Sequence, residues 1–133
     1  MPPKCETHPI RTSEDVVRVR QVARAWATEL KLSLVEQTKL VTATSELARN
    51  TLEHGGGGEM TIEFVENGIK RGVKLTFTDH GKGIADINLA LRDGYTTGSG
   101  MGLGLSGSKR LVSEFDIKSE PGHGTTVSIV RWK

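Results

Sequence analysis

Two runs of alternating residues around Asn67-Gly68 constrain this chain more than any other feature. Met60, Ile62 and Phe64 are apolar at every second position, and Val73, Leu75 and Phe77 repeat the pattern after the turn. A period of two belongs to a half-buried strand, and Asn-Gly is a hairpin turn signal. The pair predicts an antiparallel hairpin with one face buried. Asp79 continues the alternation of the second strand, so a carboxylate is expected in register with the buried face. A charge there is costly unless it has a partner.

What precedes the hairpin reads as two helices. "TSED" is a helix start, with Thr12 or Ser13 as N-cap and acids in the first turn. Val16, Val19, Ala23, Trp26, Ala27 and Leu30 follow at helical spacing. "SLVE" is a second start, a capping box of Ser33 and Glu36. That helix is expected to run to about residue 54 and stop in "GGGG" at 55–58. Its expected apolar arc is Leu34, Val41, Ala48 and Leu52, with Leu40 and Leu47 at the side. Glu46, Asn50 and His54, each four residues after the last, stack in one column on the far flank. Residues 4–10 read as a short edge strand, and a short helix is possible at 86–92. A third helix is expected from about Gly102 to Phe115. "DIKS", a turn at "EPGHG" and "TTVSIVRW" then make a second hairpin. The order β-α-α-β-β-α-β-β suits an α+β fold, a two-layer sandwich of helices on one face of a mixed, mainly antiparallel sheet. With 133 residues this is one domain, 1–133.

Composition excludes several function classes. A net charge of +2, with three Phe, two Trp and one Tyr, gives neither the basic patch nor the stacking platforms of a nucleic-acid binder. No apolar run approaches membrane-spanning length, and the start "MPPKCETHPI" has no apolar h-region. The single cysteine, Cys5, suits a reducing cytoplasm and reads as inert, since no His–acid partner is suggested nearby.

The sixteen glycines cluster, at "GGGG", "GKG" 81–83, "GSGMGLGLSG" 98–107 and "GHG" 122–124. "GLGLSG" matches G-x-G-x-x-G, but a loop precedes it where a dinucleotide fingerprint needs a strand. In "GLGLSGSK", Ser108 and Lys109 stand in the wrong order for a P-loop. Glycines leading into a helix still let backbone N–H groups approach an anion, and a phosphate chain is the obvious ligand. Taken alone, such a segment is equally a surface loop, and Glu46 and Asn50 alone are equally a solvated helix face. His54 reads as a helix-end residue favouring the dipole, or as a phosphate or metal contact. Lys109 and Arg110 read as an exposed helix face, as do Arg18, Arg20 and Arg24.

Taken in order, "ELARN", "DHGKGI", "GMGLGL" and "GHGT" resemble the N box and three glycine boxes of the GHKL ATP-binding superfamily, which includes gyrase, Hsp90, histidine kinases and MutL. The resemblance covers nearly the whole chain. Within the superfamily, "SELARN", "DGYTTGSGMGLGLSGSKRLVSEFDIKS" and the terminal "RW" look most like the small bacterial anti-sigma-factor and switch serine-protein kinases of RsbT type, the stressosome kinases. One departure is Lys82, where the first glycine box commonly has Pro.

The resemblance implies the Bergerat ATP-binding fold, with ATP and Mg2+ as cofactors. It implies that Asn50 ligates the metal and that Asp79 accepts a hydrogen bond from the adenine amine, with Thr125 helping through water. Gly81, Gly83 and Ile84 belong to the first glycine box, and Gly100, Met101, Gly102, Leu103, Gly104 and Leu105 to the second. Backbone amides of Gly102, Leu103 and Gly104 would cradle phosphate oxygens. Glu46, one turn from Asn50, is placed to take a proton from an attacking hydroxyl or to orient it. The implied function is a serine/threonine-protein kinase acting on a STAS-domain antagonist in a bacterial stress or sigma-factor partner-switching pathway. The alternative is an interaction module that binds ATP with little turnover and seizes or releases a PP2C-type phosphatase or sigma factor. Retention of Glu46 favours chemistry, since a pure binder needs Asn50 and Asp79 but no base.

Overall fold

The computed structural model describes residues 5–81 and 104–133. Strand β1 (Cys5–Ile10) leads into helices α1 (Ser13–Glu29) and α2 (Leu34–Glu53). Strands β2 (Gly58–Asn67) and β3 (Lys70–Asp79) follow. Helix α3 (Gly104–Arg110), β4 (Glu114–Glu120) and β5 (Gly124–Trp132) complete the order read from the sequence.

The sheet order is β1-β2-β3-β5-β4, and all four neighbouring pairs are antiparallel, so among the described residues the sheet has no parallel pair. The reason lies in the connections. α1 and α2 pack against each other and form an out-and-back excursion. They return the chain to the end of the sheet it left, where Ile10 pairs with Gly58. An odd number of crossing helices would have made that pair parallel.

Both helix starts follow from their caps. Thr12, not Ser13, caps α1: its hydroxyl accepts from the Asp15 N–H, and the Asp15 carboxylate accepts from the Thr12 N–H. Ser33 and Glu36 do the same for α2. Both carboxyls titrate below their ordinary values. The Arg11 N–H is the main cause for Asp15 and the Ser33 N–H for Glu36.

The core lies between the helices and one sheet face. Ile10, Met60, Ile62, Val73, Leu75, Phe77, Val127 and Ile129 come from the strands, and Val19, Ala23, Trp26, Leu40, Ala43 and Leu47 from the helices. The other sheet face carries hydroxyls in register, among them Thr7, Thr61, Thr76 and Ser128.

Two expectations are corrected. Leu34 is 72% exposed; Val41 and Ala48 are buried as expected, and the buried face of α2 centres on Leu40, Thr44, Leu47 and Thr51 beside them. Thr44 and Thr51 fit there because their hydroxyls donate to the Leu40 and Leu47 carbonyls, leaving a methyl for the core. The third helix ends at Arg110, and Phe115 lies in β4. A turn at Leu111–Ser113 intervenes, held by the Leu111 N–H on the Ser108 carbonyl and the Ser113 N–H on Val130. Phe115 and Ile117 then alternate inward with period two. The helix considered at 86–92 lies outside the described residues.

Candidate functional site

Asp79 ends β3 on the side of Val73, Leu75 and Phe77, as the alternation predicts, and is half-buried. Its Oδ1 accepts from two backbone N–H groups, Gly81 at 2.9 Å and Thr125 at 3.2 Å. One donor comes from the residues after β3 and the other from the start of β5, so the carboxylate ties two strands together. Its second oxygen, Oδ2, lies toward Gly55.

Three glycines form a collar here. A Cβ on Gly55 would lie 2.6 Å from Asp79 Oδ2 and closer still to the rest of that side chain. A Cβ on Gly81 would lie 2.8 Å from the Gly55 Cα. Gly124, at φ +87°, has its α-carbon against the Asp79 carbonyl with no room for a side chain. Gly55 therefore lies against the carboxylate, Gly81 against Gly55 and Gly124 against the Asp79 backbone, and Oδ2 accepts from no described residue. "GGGG" and "GHG" were legible as clusters, but period and turn chemistry say nothing about which strand end they meet. Gly55 and Gly124 were missed for that reason.

Helix α2 carries the second part of the site. Glu46 is 8% exposed, more buried than a far-flank position implies. Its Oε1 accepts from Arg49 Nη1 at 3.2 Å. Asn50 is half-buried, and its carboxamide makes no hydrogen bond to any described residue. The Asn50 carbonyl accepts from the His54 and Gly55 N–H groups. That closes the helix directly onto the glycine against Asp79. Asn50 and Asp79 are thus joined through one peptide turn. His54 caps the helix and is exposed, outside the Glu46–Asn50 column as a buried feature.

Helix α3 packs against α2, and Leu105 packs against the core. Gly104 opens that helix, so the second glycine box leads onto the helix that bears Glu46 and Asn50. Thr125 stands beside the collar, its hydroxyl 2.8 Å from Ser119. Gly83, Ile84, Gly100, Met101, Gly102 and Leu103 lie outside the described residues. Among the described residues, no helix is long and apolar enough to cross a membrane.

The arrangement offers an anionic acceptor in a glycine-lined notch. One helix beside it carries a carboxylate and an amide that bonds to no described residue. Comparison with known proteins finds a family and relatives for the chain. The family model described as histidine kinase-, DNA gyrase B-, and HSP90-like ATPase matches residues 35–133. The serine/threonine-protein kinase RsbT of Bacillus subtilis (strain 168) is 42% identical over 123 residues, covering 92% of this chain and 92% of that one. An anti-sigma F factor of Thermoanaerobacter sp. (strain X514) is 31% identical over 119 residues, covering 85% of this chain and 82% of that one. The crystal structure of the RsbU and RsbW domains of Rv1364c from Mycobacterium tuberculosis matches with a TM-score of 0.66 at 24% identity. The match covers all of this chain and 33% of that longer one, and it speaks to the fold alone.

Proposed function

Because this chain belongs to the histidine kinase-, DNA gyrase B- and HSP90-like ATPase family, we propose that the notch at Asp79 receives the adenine of ATP and that α2 handles phosphoryl transfer. The chain is an ATP-binding serine/threonine-protein kinase of the partner-switching type, as its likeness to RsbT and to anti-sigma F factors supports. The observation that carries the site reading is the glycine collar. Oδ1 of Asp79 is committed to two backbone donors, while Oδ2 accepts from no described residue, and an exocyclic amine is the donor that adenine supplies.

The residues present fit a magnesium ion. Mg2+ takes oxygen ligands, often one or two from protein with the rest from water and phosphate, and the Asn50 amide oxygen, which bonds to no described residue, is such a ligand. Bound there, the ion would neutralise phosphate charge. Gly100–Gly104 would offer backbone N–H groups to the phosphate chain, and Gly81, Gly83, Ile84, Met101, Leu105 and Thr125 would line the nucleotide. Glu46 would take the proton of the acceptor hydroxyl as the hydroxyl oxygen bonds to the γ-phosphorus. The bond from that phosphorus to the β-phosphate oxygen breaks, and ADP leaves. Such a transition state is loose, so positioning and charge stabilisation supply most of the acceleration.

The acceptor in this reading is a serine or threonine of a STAS-domain antagonist, and the setting is the cytoplasm. Residues 1–133 act as one kinase domain. The likeness to anti-sigma F factors also supports a binding role, in which the same chain holds a PP2C-type phosphatase or a sigma factor. The test is incubation with γ-labelled ATP, Mg2+ and purified STAS-domain proteins, followed by mass spectrometry of the product. Label on a serine or threonine is expected. Tight ATP binding with no labelled STAS protein would favour the binding role.

A further inference from the structure

Arg49 is absent from every role assigned above, yet its guanidinium is the group against the Glu46 carboxylate. We propose that Arg49 is a positioning residue for phosphoryl transfer, which holds one oxygen of Glu46 and so aims the other at the acceptor hydroxyl. The inference rests on the reading of Glu46 as the proton acceptor.

Three observations carry it. The Glu46 side chain is 10% exposed, so water can do little to stabilise its charge. A polar group so placed is held by the hydrogen bonds it makes, and Arg49 supplies one to Glu46. Arg49 Nη1 lies 3.2 Å from Oε1. An arginine stays charged through any accessible pH and binds carboxylates in fixed geometry. The pair is also local. Glu46 and Arg49 lie three apart on α2, so the helix itself brings the buried carboxylate and the 40% exposed arginine within reach. Finally, the contact uses only one carboxylate oxygen. Oε1 accepts from Arg49, leaving Oε2 with lone pairs for the incoming O–H. The contact and the burial of Glu46 together narrow the rotamers open to its carboxylate.

Arg49 touches neither the transferred group nor the acceptor in this account. Its loss should therefore act through Glu46 alone. The experiment compares Arg49→Gln, Arg49→Lys, Glu46→Gln and the double variant Glu46→Gln/Arg49→Gln, each shown folded by circular dichroism. Single-turnover and steady-state transfer are measured from Mg-ATP to a purified STAS-domain protein that the wild type phosphorylates. Arg49→Gln should lower kcat by about 10²-fold, the scale of a misaimed reacting group, with KM for ATP and for the protein substrate nearly unchanged. Arg49→Lys keeps the charge without the fork and should recover part of the rate. In the Glu46→Gln background, Arg49→Gln should cost nothing further.

Wild-type kcat for Arg49→Gln would overturn the inference and leave the kinase reading standing. So would multiplied losses in the double variant, or a raised KM for the protein substrate at constant kcat, which would make Arg49 a docking residue. Wild-type rates for Glu46→Gln would instead remove the role of Glu46, and that of Arg49 with it. Failure of the wild type to phosphorylate any STAS-domain protein would overturn both readings at their root.

Discussion

Replacing Gly55 with alanine is a small change with a large expected effect on nucleotide binding. The backbone at Gly55 is not in the left-handed region, so alanine meets no torsional objection there. The objection is steric. The new Cβ would lie 2.6 Å from Asp79 Oδ2, about 0.8 Å short of the 3.4 Å at which ordinary contact begins. Either α2 backs away from β3 or the Asp79 carboxylate swings off its two backbone donors. Overpacking of this kind costs about 1–3 kcal/mol of stability. The larger effect is on binding, because the displaced oxygen is the one offered to adenine. A hydrogen bond to a charged group contributes about 1.5–3 kcal/mol, so affinity should fall roughly 10- to 150-fold. Titration calorimetry with a non-hydrolysable ATP analogue and Mg2+ measures this, at a temperature where the variant is folded. Gly56→Ala is the control. Gly56 has φ +72° and open space around its Cβ position. Its alanine should lose about 1–2 kcal/mol of stability without losing nucleotide affinity. Wild-type affinity in folded Gly55→Ala, or equal losses in both variants, would refute the role given to the collar.

Asp79→Asn should weaken ATP binding by about 1–3 kcal/mol in the same titration, since one carboxylate acceptor becomes a donor. Asn50→Ala should remove the Mg2+ dependence of ATP affinity while leaving the thermal midpoint nearly unchanged. An unchanged Mg2+ response would assign the ion to another residue. Leu40→Ala, at a fully buried position, should cost about 2–5 kcal/mol in urea denaturation. Asp15 and Glu36 have lowered folded-state pKa values. Their contribution to stability is therefore complete above the unfolded value of about 4 and is lost as pH falls through the lower folded value. Urea midpoints should fall below roughly pH 4, and less steeply in Glu36→Gln than in the wild type.

How much of this was legible depended on which residues signal locally. The β2–β3 hairpin, the start of α1, the Ser33–Glu36 capping box and the inward register of Asp79 could be read, because period, turn residue and cap each act within a few positions. The buried stripe of α2 was read only in part: Val41 and Ala48 are buried, Leu34 is not. Thr44 and Thr51 count as polar in a pattern, yet they satisfy their hydroxyls on the preceding turn and enter the core. The end of α3 was misjudged because Leu111, Val112 and Phe115 fit a helical period as well as a turn followed by a strand. The four motifs identified the family before any contact was known. The collar and the Glu46–Arg49 pair needed the fold, since Gly55 meets Asp79 only when α2 packs over β3, and Arg49 draws notice only once Glu46 is seen to be buried.

The central claim is that α2 performs chemistry on a protein hydroxyl rather than only holding ATP, and Glu46→Gln tests it most directly. The substitution keeps the size of the side chain and removes the base. Single-turnover transfer from Mg-ATP to a STAS-domain serine or threonine should fall by about 10²- to 10⁴-fold, the range for loss of a general base. Equilibrium binding of ATP and of the protein substrate should stay at wild-type strength. Full transfer by a folded Glu46→Gln variant would contradict the account.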